Sequence, residues 1–222
     1  MDDILIYSKT YEQHLVLVDA VLKRMIQFKT HLKASKCEFA KDTISYIGHV
    51  FTRDGIKCDP GKSNAIRLYK RPGNVSDMRS FLGLVGYYRK FIKDFSKVVK
   101  PLTDMTKEMS KEDAKKAYST WTPAALQAFE TLKTALMSEP ILGHPDWTKE
   151  FQVRTDACKD GLGAVLCQKN DDGLERVVAY ASRVLRDPET RYHSYEQEML
   201  AVVWAVRYLV VRSGYGISFR DL

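Results

Sequence analysis

The sequence has no apolar run approaching the roughly 20 residues needed to span a bilayer. Its first residues carry two aspartates, where a secretory signal would need a basic start and a longer apolar stretch. Cysteine is scarce: Cys37, Cys58, Cys158 and Cys167 are scattered with no CxxC spacing, which argues against both a disulfide framework and a cysteine-bound zinc site. A reducing intracellular setting, cytoplasmic or nuclear, is the expectation. Internal repeats and low-complexity tracts are also lacking. What is present is ordinary globular usage, 45% hydrophobic and 28% charged, which excludes a disordered tail or a fibrous repeat. A chain of 222 residues suffices for one large domain or two small ones.

The net charge of +7 is unevenly placed. Residues 1–120 hold 23 Lys and Arg against 14 Asp and Glu, a net of +9, whereas residues 121–222 hold 12 against 14, a net of −2. The excess implies a polyanionic partner for the first half, most simply nucleic acid. A solvated lysine-rich surface has the same composition, and composition leaves both readings open.

Patterning divides the chain further. Ile4–Ser8 reads as a buried strand. Leu15, Val18, Leu22, Met25 and Ile26 recur at helical spacing between Thr10 and Lys29. Residues 44–51 read as one strand, with Asp54-Gly55 turning into a short return strand and Asp59-Pro60 opening a helix. Pro72-Gly73-Asn74 breaks the chain before a helix capped by Ser76, with Met78, Phe81, Leu82, Val85, Tyr88 and Ile92 on its apolar side. Lys107–Lys116 is expected to be an exposed connector. Trp121-Thr122-Pro123 opens a helix with a stripe of Leu126, Phe129, Leu132 and Leu136. Strands are expected at 151–154, 161–168 and 176–185, then a helix over 194–212 that buries Met199, Leu200, Val203, Val206 and Leu209. The fold class is α+β, with boundaries at 1–58, 59–145 and 146–222.

Adjacent carboxylates beside an apolar strand, as at Asp2-Asp3, are costly unless a cation is shared between them, and Mg2+ is the commonest solution. Spacing alone also allows two exposed acids. The surrounding strings are more specific. Met1-Asp2-Asp3-Ile4-Leu5-Ile6-Tyr7-Ser8 resembles the aspartate-pair hairpin of reverse transcriptases. Lys36-Cys37-Glu38-Phe39, Tyr46-Ile47-Gly48-His49, the run from Phe81 to Ile92, Trp121-Thr122-Pro123, and Thr155-Asp156-Ala157 with Gly161–Leu166 all resemble segments of gypsy-type long-terminal-repeat retrotransposon Pol polyproteins, in that family's order over residues 1–210.

That resemblance implies the end of a reverse transcriptase palm, a helical thumb or connection, and an incomplete ribonuclease H-like α/β domain with a mixed sheet, truncated at both ends. Both activities would use two Mg2+ ions, or Mn2+, held by carboxylates. Asp2 and Asp3 would serve the polymerase; Asp156, Glu198 and Asp221, the last near the expected third position but without the family's flanking threonine and histidine, would serve the ribonuclease H. Glu196 competes with Glu198, but a two-residue step on a helix faces elsewhere. Tyr87, Arg89 and Lys90 are candidates for contact with a template–primer duplex or RNA–DNA hybrid, with Tyr88 equally suited to a core. Lys36 falls at a proton-donor position and reads equally as a surface lysine. Tyr46–His49 would position a primer end. Deoxynucleotides would be partners only of the intact polyprotein, and with catalytic carboxylates missing the chain alone is expected to be inactive. Its alternative is a nucleic-acid-binding relic without turnover. A cysteine-based enzyme, using Cys158 or Cys167 with His193, lacks any nucleophile motif.

Overall fold

In the computed structural model, residues 3–107, 112, 117–138 and 140–212 are described, and the chain divides into two compact units, residues 1–53 and 54–222. No helix among the described residues is long and apolar enough to cross a membrane.

In the first unit, α1 (Tyr11–Gln27) starts where Thr10 caps it, the threonine hydroxyl accepting the Gln13 N–H at 3.2 Å. Glu12 sits in the first turn, and hydrogen bonds from its own backbone and from Thr10 hold its carboxyl below the usual range. None of the helix is buried. The strand expected at Ile4–Ser8 does not form: Ile4 and Tyr7 are exposed, and no described strand pairs with the segment. An extended run becomes a strand only when a neighbour takes its hydrogen bonds. The single strand expected over 44–51 is a hairpin instead. β1 (Ile44–Tyr46) pairs antiparallel with β2 (His49–Thr52), Tyr46 opposite His49. Ile47 and Gly48 both take positive φ, 44° and 64°, which makes the two-residue turn whose twist suits a hairpin. An isoleucine in that region costs energy, so its β propensity hid the turn.

The second unit begins with β3 (Gly55–Cys58), whose Ile56 exchanges backbone hydrogen bonds with Leu142 at 2.8 and 3.0 Å. Asp59 caps α2 (Pro60–Arg67), with Pro60 in the first turn as expected. α3 (Val75–Tyr87) is capped by Asn74 and not by Ser76: the Asn74 side chain accepts the Asp77 N–H at 2.9 Å and donates to its carboxylate at 2.9 Å. The helix stops at Tyr87, so Tyr88 and Ile92, although buried, lie beyond it around a 3-10 turn at Arg89–Phe91. α4 (Phe95–Asp104) follows Asp94, a left-handed residue with φ 52°. α5 (Pro123–Met137) is capped by Thr122 and buries Ala125, Ala128, Phe129, Leu132 and Leu136, whereas Leu126 of the expected stripe is exposed. Phe81, Phe129, Trp121 and Tyr88 join these helices in one apolar core.

Beyond it, β4 (Gln152–Cys158), β5 (Gly161–Lys169) and β6 (Glu175–Arg183) form a three-stranded meander, β5 central. Both pairings of this sheet are antiparallel, so among the described residues it shows no parallel pair of the mixed sheet expected. Opposed residues share a face, so Asp156, Gly163 and Ser182 form one row, and Thr155, Ala164 and Ala181 the next row on the other face. A bulge at Leu166/Cys167 shifts the register toward the far end of the sheet.

α6 (Ser194–Val206), extended by a π-helical stretch at Arg207–Arg212, covers the Ala164 and Ala181 face. Its expected stripe is only partly buried: Leu209 is buried and Leu200 packs on the core, but Met199 and Val203 are exposed at 49% and 48%, and the other residues pressed to the sheet are Gln197, Ala201 and Ala205. Both sets have helical spacing, and only the small alanines let the helix approach alanines on the strands. The opposite face carries Val177 and Tyr180, which pack on the helical core. Ser182 Oγ accepts the Ser96 N–H at 2.8 Å, and Lys100 pairs with Asp160 at 2.8 Å, so α4 is fastened to the sheet.

Candidate functional site

Alternation along β4 points Arg154 and Asp156 to one side, both exposed, while Val153, Thr155 and Ala157 turn toward α6. Arg154 is ion-paired with Glu175, and no described cation bridges Asp156. Glu198 lies in the second turn of α6 and is likewise exposed. Its competitor is spoken for: the Glu196 carboxylate accepts the His193 N–H at 2.9 Å, closing a capping box at the helix start. α6 lies across β4 and β5 on the face opposite Asp156, so the two carboxylates come from the two sides of an edge strand. Among the described residues no three His, Cys, Asp or Glu side chains are grouped to hold a metal ion. Asp2 and Asp221 fall outside the described residues, and Asp3 is exposed in an irregular segment, its carbonyl accepting the Tyr46 hydroxyl at 3.2 Å.

One acidic side chain beside this row carries no mark in the sequence. Asp94 Oδ1 lies 2.8 Å from where a Cβ on Gly163 would stand, above the strand position directly opposite Asp156. Only a residue without a side chain leaves room for it. No motif surrounds Asp94; its placement depends on a left-handed backbone before α4, which local propensity does not announce.

Tyr87, Arg89 and Lys90 do come together. With Tyr180, Ser182 and Tyr208 they line a cleft of about 270 Å³ between the 3-10 turn and the outer edge of β6. Arg89 Nη2 donates to the Tyr208 hydroxyl at 3.0 Å, a neutral partner that leaves its charge uncompensated. Lys90 Nζ stands 5.4 Å from the Phe91 ring centroid, and no described carboxylate pairs with it. Burial pulls its ammonium below the ordinary value of 10.5, opposed by the neighbouring Cys58 thiol. Tyr88, by contrast, is 1% exposed with its phenol pushed up to about 12 by burial, so it is a core residue. Lys36 sits exposed in a 3-10 turn at Ala34–Lys36, and His49 ends the hairpin with Nδ1 2.8 Å from the Ile47 carbonyl.

The cysteines are free, and two of them are inert. Burial pushes the Cys58 thiol up to about 12 and the Cys167 thiol to about 11, away from the thiolate that nucleophilic chemistry needs.

Fold and sequence models together define the class. Residues 1–51 match the model for reverse transcriptase (RNA-dependent DNA polymerase), and residues 121–211 match that for an RNase H-like domain found in reverse transcriptase. Within that class the chain is similar over nearly its whole length to gypsy-type retrotransposon Pol polyproteins. It is 39% identical over 211 residues to the retrovirus-related Pol polyprotein from transposon gypsy of Drosophila melanogaster, a match covering 93% of this chain and 20% of that protein. It is 34% identical over 208 residues to the transposon Tf2-3 polyprotein of Schizosaccharomyces pombe, covering 94% of this chain and 15% of that one. The chain thus spans a fifth or less of the length of these relatives. The fold is shared with the foamy viral protease-reverse transcriptase solved with an RNA/DNA hybrid, at a TM-score of 0.71 and 20% identity over 92% of this chain and 27% of that one. The same viral protein solved with dsDNA gives a TM-score of 0.73 at 20% identity, covering 92% and 41% of the two chains.

Proposed function

We propose that the chain acts within a retrotransposon RNA-directed DNA polymerase with ribonuclease H, on RNA template–DNA primer and RNA–DNA hybrids. The division is that expected from the sequence: palm to residue 58, thumb or connection to 145, ribonuclease H beyond. What supports the reading is the placement of Asp156 on β4 and Glu198 on α6, two exposed carboxylates rooted in elements that pack on one another. Hard oxygen donors with no cation bridging them fit Mg2+, or Mn2+, better than any softer metal. When bound, the ions supply an activated water and stabilise the departing oxygen of the cleaved phosphodiester. Asp156 and Glu198 would hold them, joined by Asp221; Asp2 and Asp3 would do the same for the polymerase reaction in the intact polyprotein, which deoxynucleotides enter. Arg89 and Lys90 bind backbone phosphate, and Tyr87 stacks or packs against the sugar edge.

The test is Mg2+-dependent cleavage of a labelled RNA–DNA hybrid by the intact polyprotein beside its Asp156→Asn form, with the purified chain measured alongside. Cleavage that disappears with Asp156→Asn supports the reading, and cleavage that survives it contradicts the assignment. A second reading, binding without turnover, is favoured by the cleft cations, which grip phosphate without any metal. It predicts hybrid binding that is unaffected by Asp156→Asn and no cleavage by either form.

A further inference from the structure

The connection from β6 to α6, residues 184–193, is polar and ought to be loose, yet a buried charged residue ties it down. Arg183, the last residue of β6, presents both ends of its guanidinium to Glu189, Nη1 to Oε2 at 2.6 Å and Nη2 to Oε1 at 3.0 Å. Glu189 Oε2 also accepts the Arg186 N–H at 2.8 Å, so the carboxylate closes its own loop. The side chains are only 23% and 11% exposed. The Arg183 hydrogen bonds, helped by the Arg186 N–H and opposed by burial, hold the Glu189 carboxyl below its usual range. The Arg183 guanidinium in turn lies 5.8 Å from the Trp204 ring of α6. Finally, the carbonyl of Glu189 accepts the side-chain amide of Gln197 at 3.2 Å.

Gln197 is the residue before Glu198, is 8% exposed, and is the polar member of the stripe that α6 buries. We infer that Arg183, Glu189 and Gln197 form a positioning clamp that fixes the rotation and height of the first turns of α6, and so the place from which Glu198 projects. A bidentate, largely covered arginine–carboxylate pair admits one geometry, and its hydrogen bonds are lost together if the loop shifts. Successive helical residues are separated by about 100°. Pinning Gln197 inward therefore fixes the direction of Glu198, and the capping box on His193 and Glu196 fixes where the helix starts. None of the three residues need touch substrate; each acts through Glu198. The inference rests on Glu198 being a metal-holding carboxylate, as proposed above, for its effect on cleavage. Its structural core does not.

The experiment compares Gln197→Leu, which keeps volume and burial but removes the bond to Glu189, and Glu189→Gln, which keeps the shape but removes the charge. Amide hydrogen exchange at residues 197–200 is the first readout, with β5 as internal reference. The clamp predicts exchange faster by about tenfold or more in the α6 turn with β5 unchanged. Unchanged exchange in both variants overturns it. The second readout is hybrid cleavage. A displaced carboxylate lowers kcat by roughly tenfold to a hundredfold with KM unmoved, whereas a role in stability alone scales activity with the folded fraction and is excluded by the melting curve. If the intact polyprotein does not cleave hybrid, or its Asp156→Asn form still does, the ribonuclease H reading fails, and the exchange result still decides the clamp.

Discussion

Gly55 shows how closely single residues are fitted here. Its φ is +144°, and a Cβ would stand 2.2 Å from the Leu142 carbonyl oxygen that Ile56 needs as its acceptor. Gly55→Ala is therefore expected to lower the melting temperature, the strained backbone alone costing about 1–3 kcal/mol. An unchanged melt would show that the β3–Leu142 contact is dispensable. Glu189 sets a pH dependence. Its folded pKa is depressed below the ordinary 4.5, so the stability it lends is complete above that value and is lost as pH falls through the lower folded value. Chemical denaturation between about pH 5 and pH 2 should show a loss of stability that Glu189→Gln removes; parallel profiles for the two forms would contradict the pairing. The proposed site residues Asp156, Glu198, Arg89 and Lys90 stand out in the sequence because they sit inside recognisable strings. Asp94, Arg183, Glu189 and Gln197 do not. In sequence they are ordinary polar residues of a strand end, turns and a helix start, and only the folded backbone reveals that Glu189 and Gln197 are buried, that the half-buried Arg183 is bound to Glu189, and that Asp94 covers a glycine.

At the level of elements, capping and periodicity located α1, α2, α5, the three strands of the meander and α6 to within a few residues, because each has a local signature. The failures have local causes too. Ile4–Ser8 has strand composition without a described partner, and residues 44–51 conceal a turn under an isoleucine. Asn74 outcompeted Ser76 because Asp77 lies within reach of its amide. Asn74→Ala should cost about 1 kcal/mol in denaturant unfolding, and Ser76→Ala much less; the reverse order would misplace the start of α3. In the stripe of α6, Leu200 and Leu209 face inward as expected while Met199 and Val203 do not, because apolar bulk is a poor guide where alanine faces alanine. Ala201 and Ala205 are fully buried. Ala201→Leu is expected to destabilise by about 1–3 kcal/mol through overpacking, while Met199→Lys on the exposed side is expected to leave the unfolding midpoint in place. Equal effects would mean that the helix is rotated from the position seen here.

For the molecule as a whole, the charge division of +9 and −2 was visible in composition, but not that the 3-10 turn presses against β6 and, with Tyr208, makes the cleft holding Arg89 and Lys90. Long-range packing of this kind leaves no local trace. If the cleft grips phosphate, log affinity for hybrid falls with log salt, and Arg89→Ala reduces that slope by about 1. An unchanged slope would remove Arg89 from the interface. The central claim is that Asp156 and Glu198, from a strand and a helix on opposite sides of one sheet edge, work as a single metal-holding unit. Hybrid cleavage rates in Mg2+ for Asp156→Asn, Glu198→Gln and the double substitution test it most directly. Residues that act as a unit are strongly non-additive, so each single change should abolish nearly all cleavage and the double change should cost no more than either. Independent, multiplying losses, or a single variant that keeps the parent rate, would contradict it.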